Sequence, residues 1–221
     1  FLDANENPFN TKLNRYPDPY QSKLKSIIAQ LKNVESNNIV LGNGSDEIID
    51  LLIRLFCIPY TDKIMTFPPT YGMYKVTADL NAIGIQEVLL DKNFQLNVDE
   101  VLARMTKETK MIFFCSPNNP SGNTLKREDI IHILHQFDGI VVIDEAYNDF
   151  STDASFSELL DEYNNLVVMQ TFSKAFGMAG ARLGMCFTNP IIVDYLNKIK
   201  PPYNVNTLSQ NIAIERLTSI T

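Results

Sequence analysis

Five short segments of this 221-residue chain carry side chains whose types and spacing could do chemistry. Ser173-Lys174 follows the apolar run Leu166–Met169, and Arg182 stands eight residues past the lysine, among Gly177, Gly180 and Gly184. A lysine at the edge of an apolar sheet, with a cation nearby, has its ammonium form disfavoured and becomes an amine nucleophile for a carbonyl. Arg182 and the Ser173 hydroxyl could both hold a phosphate. Taken alone, the pair fits equally a snorkelling surface lysine and an ion-paired arginine. Asp144 ends the apolar run Ile140–Ile143, where a carboxylate needs a partner, and a protonated ring nitrogen would suit it. Tyr147, three residues on, offers a phenol; a turn cap and a core tyrosine are the plainer alternatives.

Gly42-Asn43-Gly44-Ser45-Asp46 leads into a helical pattern that runs to Phe56. Ser45 or Asp46 can cap that helix, and the N–H groups at its start form an anion site. The Gly-x4-Gly-Lys-Ser/Thr pattern of a P-loop is absent. Asn118-Asn119-Pro120-Ser121-Gly122 is a turn in which one amide could donate to a ring oxygen. Pro68-Pro69-Thr70-Tyr71-Gly72 places an aromatic face where a flat ligand could stack. Each segment has an ordinary turn reading. Together they offer an amine, a carboxylate for a pyridinium, a phenol and an amide for a ring oxygen, an aromatic lid and several phosphate donors. That set complements pyridoxal 5'-phosphate.

The elements that must position these groups alternate along the chain. Short apolar runs read as buried strands at Ile39–Leu41, Ile64–Phe67, Val88–Leu90, Met111–Phe114, Ile140–Ile143, Leu166–Met169 and Met185–Phe187. Stretches of helical period separate most of them, including one face of Ile48, Ile49, Leu52, Leu55 and Phe56 and another of Ile130, Ile133, Leu134 and Phe137. A further helix is expected over 21–31. Strand, helix, strand at this spacing predicts an α/β fold with a sheet covered on both faces. In such sheets ligands bind beyond the carboxyl ends of the strands, which is where all five segments fall. The first thirty residues, with Asn5-Glu6-Asn7-Pro8 and Tyr16-Pro17-Asp18-Pro19, are turn-rich and read as an arm lying over something.

The formal net charge of -7 argues against nucleic acid or an anionic membrane as the main partner. No apolar run is long enough to span a bilayer as a helix. Cys57, Cys115 and Cys186 lie far apart, with no metal-ligand spacing, and read as buried reduced thiols in a cytoplasmic protein. His132 and His135 sit three apart on a helix and lack further ligands nearby, so no metal site is expected. The chain opens at Phe1 and closes at Ile220-Thr221 within a helical pattern, which reads as a fragment of something longer.

The order Tyr71, Asn119-Pro120-x-Gly122, Asp144-x-x-Tyr147, Ser173-Lys174 and Arg182 resembles the fold-type I aminotransferases that use pyridoxal phosphate. Gly44-Ser45-Asp46-Glu47, Pro68-Pro69-Thr70-Tyr71-Gly72-Met73-Tyr74 and Thr171-Phe172-Ser173-Lys174-Ala175-Phe176 are similar to the histidinol-phosphate aminotransferase family in particular, as are Asn5-Glu6-Asn7-Pro8 and Arg15-Tyr16-Pro17. The likeness covers nearly the whole chain. It implies a three-layer α/β/α large domain with a mostly parallel sheet whose last strand is antiparallel. Residues 1–30 would be an N-terminal arm and part of a small domain, and 31–221 the cofactor-binding domain.

The resemblance also implies roles. Lys174 would condense with the cofactor aldehyde and shuttle a proton. Asp144 would pair with the pyridine nitrogen, Asn119 and Tyr147 would bond the ring oxygen, and Tyr71 would stack on the ring. Ser45, Asp46, Ser173 and Arg182 would hold the phosphate, and Tyr16 would reach the phosphate of the other subunit in a homodimer. Asn5 and Asn119 would face the substrate. The implied reaction moves an amino group between glutamate/2-oxoglutarate and histidinol phosphate/imidazole acetol phosphate in histidine biosynthesis. An aromatic aminotransferase, a threonine-phosphate decarboxylase-like enzyme and a non-catalytic cofactor-binding fragment are the alternatives. The family's further C-terminal segment carries an arginine that grips the substrate anion, and no residue of this sequence takes that role.

Overall fold

The computed structural model describes residues 4–219. Seven strands form one sheet: β1 (Ile39–Asn43), β2 (Lys63–Thr66), β3 (Gly84–Glu87), β4 (Thr109–Cys115), β5 (Ile140–Asp144), β6 (Leu166–Thr171) and β7 (Leu183–Thr188). Their order is β1-β7-β6-β5-β4-β2-β3. Strands β3, β2, β4, β5 and β6 pair in parallel, whereas β7 is antiparallel to both β6 and β1. The helices are α1 (Ser22–Lys32), α2 (Ser45–Phe56), α3 (Met73–Leu80), α4 (Val98–Arg104), α5 (Arg127–Gln136), α6 (Pro190–Ile199) and α7 (Thr207–Thr218).

Side-chain alternation along each strand sorts the core into two layers. On β5, Val141 and Ile143 pack with Leu24 and Ile28 of α1, Val101 of α4, Ile133 of α5 and Ala213 of α7. Their neighbours Ile140 and Val142 join Ile49 and Leu52 of α2, Tyr74 of α3 and Leu196 of α6. Helices therefore cover both faces, the three-layer α/β/α arrangement that continuous apolar strands require.

Two local expectations change. Val88–Leu90 is not a strand; β3 is the segment just before it, Gly84–Glu87. Val88 and Leu90 are buried while Leu89 is exposed, so the alternation reports burial of an extended segment. The ladder stops because β2 runs into Pro68-Pro69, which have no N–H to donate. Neither Ser45 nor Asp46 caps α2: the cap position is Gly44, at φ 80°, and no side chain caps the helix. The helical pattern at the end of the chain ends at Thr218 within α7, and Ile220 and Thr221 lie outside the described residues.

Candidate active site

The ends of β1, β4, β5 and β6 surround one open cavity. Ser45 and Asp46 enter it from the start of α2, Asn119 from the turn after β4, and Asp144 from the last position of β5. Tyr71, Tyr147, Ser173, Lys174 and Arg182 complete the candidate set, with Cys115, Ala146 and Thr171 between them. Asn5 and Tyr16 do not line this cavity. They lie beside a separate groove of the arm, where Tyr16 stacks on Tyr203 with ring centroids 4.3 Å apart.

Asp144 is 2% exposed, so its carboxylate must find its partners inside the protein. Its Oδ2 accepts a 2.6 Å hydrogen bond from the Tyr74 hydroxyl and its Oδ1 a 3.0 Å bond from the Ala146 N–H. Burial raises its pKa; the two hydrogen bonds and the charge of Lys174 work in the opposite direction. Tyr74 is fully buried, stacked on Phe113 at 4.9 Å, and burial beside Asp144 pushes its own pKa well up, so it remains a donor. Sequence reasoning missed Tyr74 as a site residue. The signal was present: it falls three positions after Tyr71, on one face of the short helix α3, and a buried phenol needs a partner. Cys115 pairs in register with Asp144. Burial, then the Asp144 charge, pushes its thiol up to about 12.

At the other end of the cavity, two glycines allow a close approach. A Cβ on Gly184 would lie 2.4 Å from the Ser45 nitrogen, so β7 reaches the start of α2 only without one. A Cβ on Gly44 would lie 2.5 Å from the Arg182 guanidinium. Asp46 organises this end: its Oδ1 accepts from the Tyr71 hydroxyl at 3.0 Å, and its Oδ2 is 3.5 Å from an Arg182 nitrogen. The uncapped N–H groups of the first turn of α2 lie beside that guanidinium, a combination suited to an anion.

Lys174 lies on the turn after β6, exposed, rather than within the apolar strand edge. Its ammonium is 5.4 Å from the centroid of the Tyr147 ring. The two asparagines of the β4 turn also separate. Asn118 is taken up by structure, donating to the Pro69 carbonyl and to Ser121, and Asn119 faces the cavity. His132 and His135 are exposed, and His135 shares a 2.7 Å hydrogen bond with the Tyr163 hydroxyl. Among the described residues no group of three or more His, Cys, Asp or Glu could hold a metal ion.

This layered sheet with a polar cavity at its strand ends defines a class: the model of the aminotransferase class I and II family matches residues 4–220, and the chain belongs to that family. Within it, the chain is 52% identical over 221 residues to the histidinol-phosphate aminotransferase of Flavobacterium psychrophilum and 56% identical over 217 residues to that of Bacteroides thetaiotaomicron. Those alignments take in 100% and 98% of this chain, and 64% and 63% of the relatives. The chain thus spans less than two thirds of the curated relatives' length. The crystal structure of the histidinol-phosphate aminotransferase from Clostridium acetobutylicum matches 95% of this chain and 63% of its own at a TM-score of 0.85, with 28% identity. The Sinorhizobium meliloti enzyme, solved in complex with pyridoxal-5'-phosphate, shares the fold at a TM-score of 0.86 and 23% identity, over 95% of this chain and 58% of its own.

Proposed function

We propose that this chain is the cofactor-binding part of a histidinol-phosphate aminotransferase that uses pyridoxal 5'-phosphate. The observation that carries this reading is one cavity shared by an amine (Lys174), a fully buried carboxylate (Asp144) and an anion-binding end built from Arg182 and the start of α2. The fit to the cofactor is chemical. Asp144 keeps acceptor capacity beyond the bonds from Tyr74 and Ala146, as a pyridinium requires. Relatives more than half identical along the whole chain bear this activity in their names.

When bound, the cofactor supplies a protonated ring that withdraws electrons from the substrate's α-carbon. In this reading Lys174 holds the cofactor aldehyde and moves the proton at that carbon. Asp144 keeps the ring nitrogen protonated, and Asn119 and Tyr147 bind the ring oxygen. Tyr71 covers a ring face. The N–H groups of Ser45 and Asp46, the Ser173 hydroxyl and Arg182 bind the phosphate. Asn5 and Asn119 face the substrate. The amino group moves between glutamate/2-oxoglutarate and histidinol phosphate/imidazole acetol phosphate in histidine biosynthesis.

The reading extends to a cytoplasmic homodimer, in which Tyr16 serves the partner's phosphate. The exposed Phe9, Leu13 and Tyr16 on the arm support an interface there. Residues 1–30 are then the arm with part of a small domain, and 31–221 the cofactor-binding domain. No helix among the described residues is long and apolar enough to cross a membrane.

The test is a visible spectrum of the full-length protein with the cofactor. Binding produces an absorbance band that Lys174→Ala abolishes, and histidinol phosphate shifts that band while phenylalanine and threonine phosphate do not. Failure to bind the cofactor overturns the class of chemistry, and an equal response to phenylalanine or threonine phosphate overturns the substrate.

A further inference from the structure

Glu47 sits in the first turn of α2, next to the anion-binding end of the cavity, and has no part in the roles above. Its Oε2 accepts two hydrogen bonds. One comes from the Asn43 N–H at 2.6 Å, within the glycine loop itself. The other comes from Asn204 Nδ2 at 2.8 Å. Asn204 also donates to the Leu41 carbonyl of β1 at 2.9 Å, so its amide is fixed against the sheet.

From Asn204 the path continues to the arm. Its Oδ1 accepts from Lys200 Nζ and Gln21 Nε2, each at 3.3 Å. Both of those donors converge on the Pro19 carbonyl, Lys200 at 2.7 Å and Gln21 at 2.9 Å. Lys200 and Gln21 are buried, so these bonds are shielded from water and cannot be exchanged for it without cost. Tyr203, beside Asn204 in sequence, is the ring on which Tyr16 stacks. A continuous set of hydrogen bonds therefore joins the loop Gly42–Asp46 to the arm segment that carries Tyr16. Glu47 is its carboxylate end; burial lowers the pKa of Lys200, and the charges of Glu47 and then Asp18 oppose that shift.

We infer that Glu47 is a positioning residue that holds the Tyr16 arm in register with the phosphate-binding loop, so that the loop of one subunit and the arm it lends to its partner are placed together. This rests on the proposed reading that the loop binds phosphate and that Tyr16 serves the other subunit. Glu47 touches neither cofactor nor substrate in it.

Two readouts on the full-length protein test the inference; neither needs turnover, and one needs no cofactor. The first is hydrogen exchange of residues 16–25 in the cofactor-free protein, and the second is cofactor affinity by titration. Glu47→Ala removes the acceptor for both donors; it speeds exchange across the arm and weakens cofactor binding about tenfold, the scale of one lost charge-assisted hydrogen bond. Glu47→Gln retains an acceptor oxygen at that place and stays within about threefold of the parent on both readouts. Asn204→Ala, which keeps the carboxylate on α2, reproduces the arm exchange of Glu47→Ala. Unchanged arm exchange in both alanine variants overturns the inference, and so does a Glu47→Gln protein as impaired as Glu47→Ala. Arg182→Ala separates this from the reading beneath it: cofactor affinity unaffected by that change would refute the phosphate assignment and leave the arm-exchange result standing.

Discussion

Replacing Tyr74 by Phe removes one oxygen and leaves the ring that stacks on Phe113. The lost group is the donor to Asp144 Oδ2 at 2.6 Å, and both side chains are buried. The Ala146 N–H is then the remaining hydrogen-bond donor named above for that carboxylate. A hydrogen bond to a buried charge contributes about 1.5–3 kcal/mol, and one to a neutral group about 0.5–1.5 kcal/mol. The cost of Tyr74→Phe therefore depends on whether Asp144 is ionised. Burial holds the Asp144 carboxyl above its ordinary pKa, so the folded protein binds that proton more tightly than the unfolded chain. This group's contribution to stability falls as pH rises from the ordinary carboxylate range to the folded pKa, then levels off. Tyr74→Phe extends that fall to higher pH. The assay is thermal unfolding of the cofactor-free full-length protein, parent and variant, across a pH series. The gap between them should be small in acid and widen to about 1.5–3 kcal/mol once Asp144 is charged. A gap that is constant with pH, or larger in acid, would refute the argument that the phenol stabilises the ionised carboxylate.

Other consequences follow from the same physics. Gly44→Ala puts a methyl group 2.5 Å from the Arg182 guanidinium at φ 80°, so it should displace that side chain and weaken cofactor or phosphate binding at least tenfold, read by titration. Lys25 is buried and its pKa is lowered to about 8, first by burial and then by Lys200. The folded state thus releases that proton before the unfolded chain does, and stability rises with pH between about 8 and 10.5. Lys25→Met should remove this rise and stabilise the protein at neutral pH by up to about 3 kcal/mol, measured by unfolding at pH 7 and pH 10.

The parts of the site legible in the sequence are those set by topology. Each segment that follows a parallel strand must emerge at one edge of the sheet, so Asp144, Asn119 and Lys174 could be placed together from periodicity and order alone. What periodicity could not give was the partner of each side chain. Tyr74 reads as a core aromatic on α3, and only the packing that stacks its ring on Phe113 of β4 brings its hydroxyl to Asp144. Likewise the charges of Asp46 and Glu47 look alike in the sequence. In the fold, Asp46 faces Arg182 and Tyr71, while Glu47 faces Asn204, 157 positions away. Val88–Leu90 misled because burial and ladder formation share one apolar signature, and only the adjacent prolines separate them.

The reversal of β7 has a consequence for how the cavity tolerates change. Had β7 run parallel to β6, the chain would have crossed the length of the sheet before re-entering it, and Arg182 would stand roughly 20 Å away at the opposite rim. Because β7 instead begins where β6 ends, residues 172–182 form a ruler whose two marks are Lys174 and Arg182. Its span sets how far amine and guanidinium stand apart, and so the size of molecule that can touch both. Point changes at its exposed positions Ala175, Ala179 and Gly180 should be absorbed readily, whereas a single insertion or deletion should alter what the cavity accepts while the sheet beneath it stays intact.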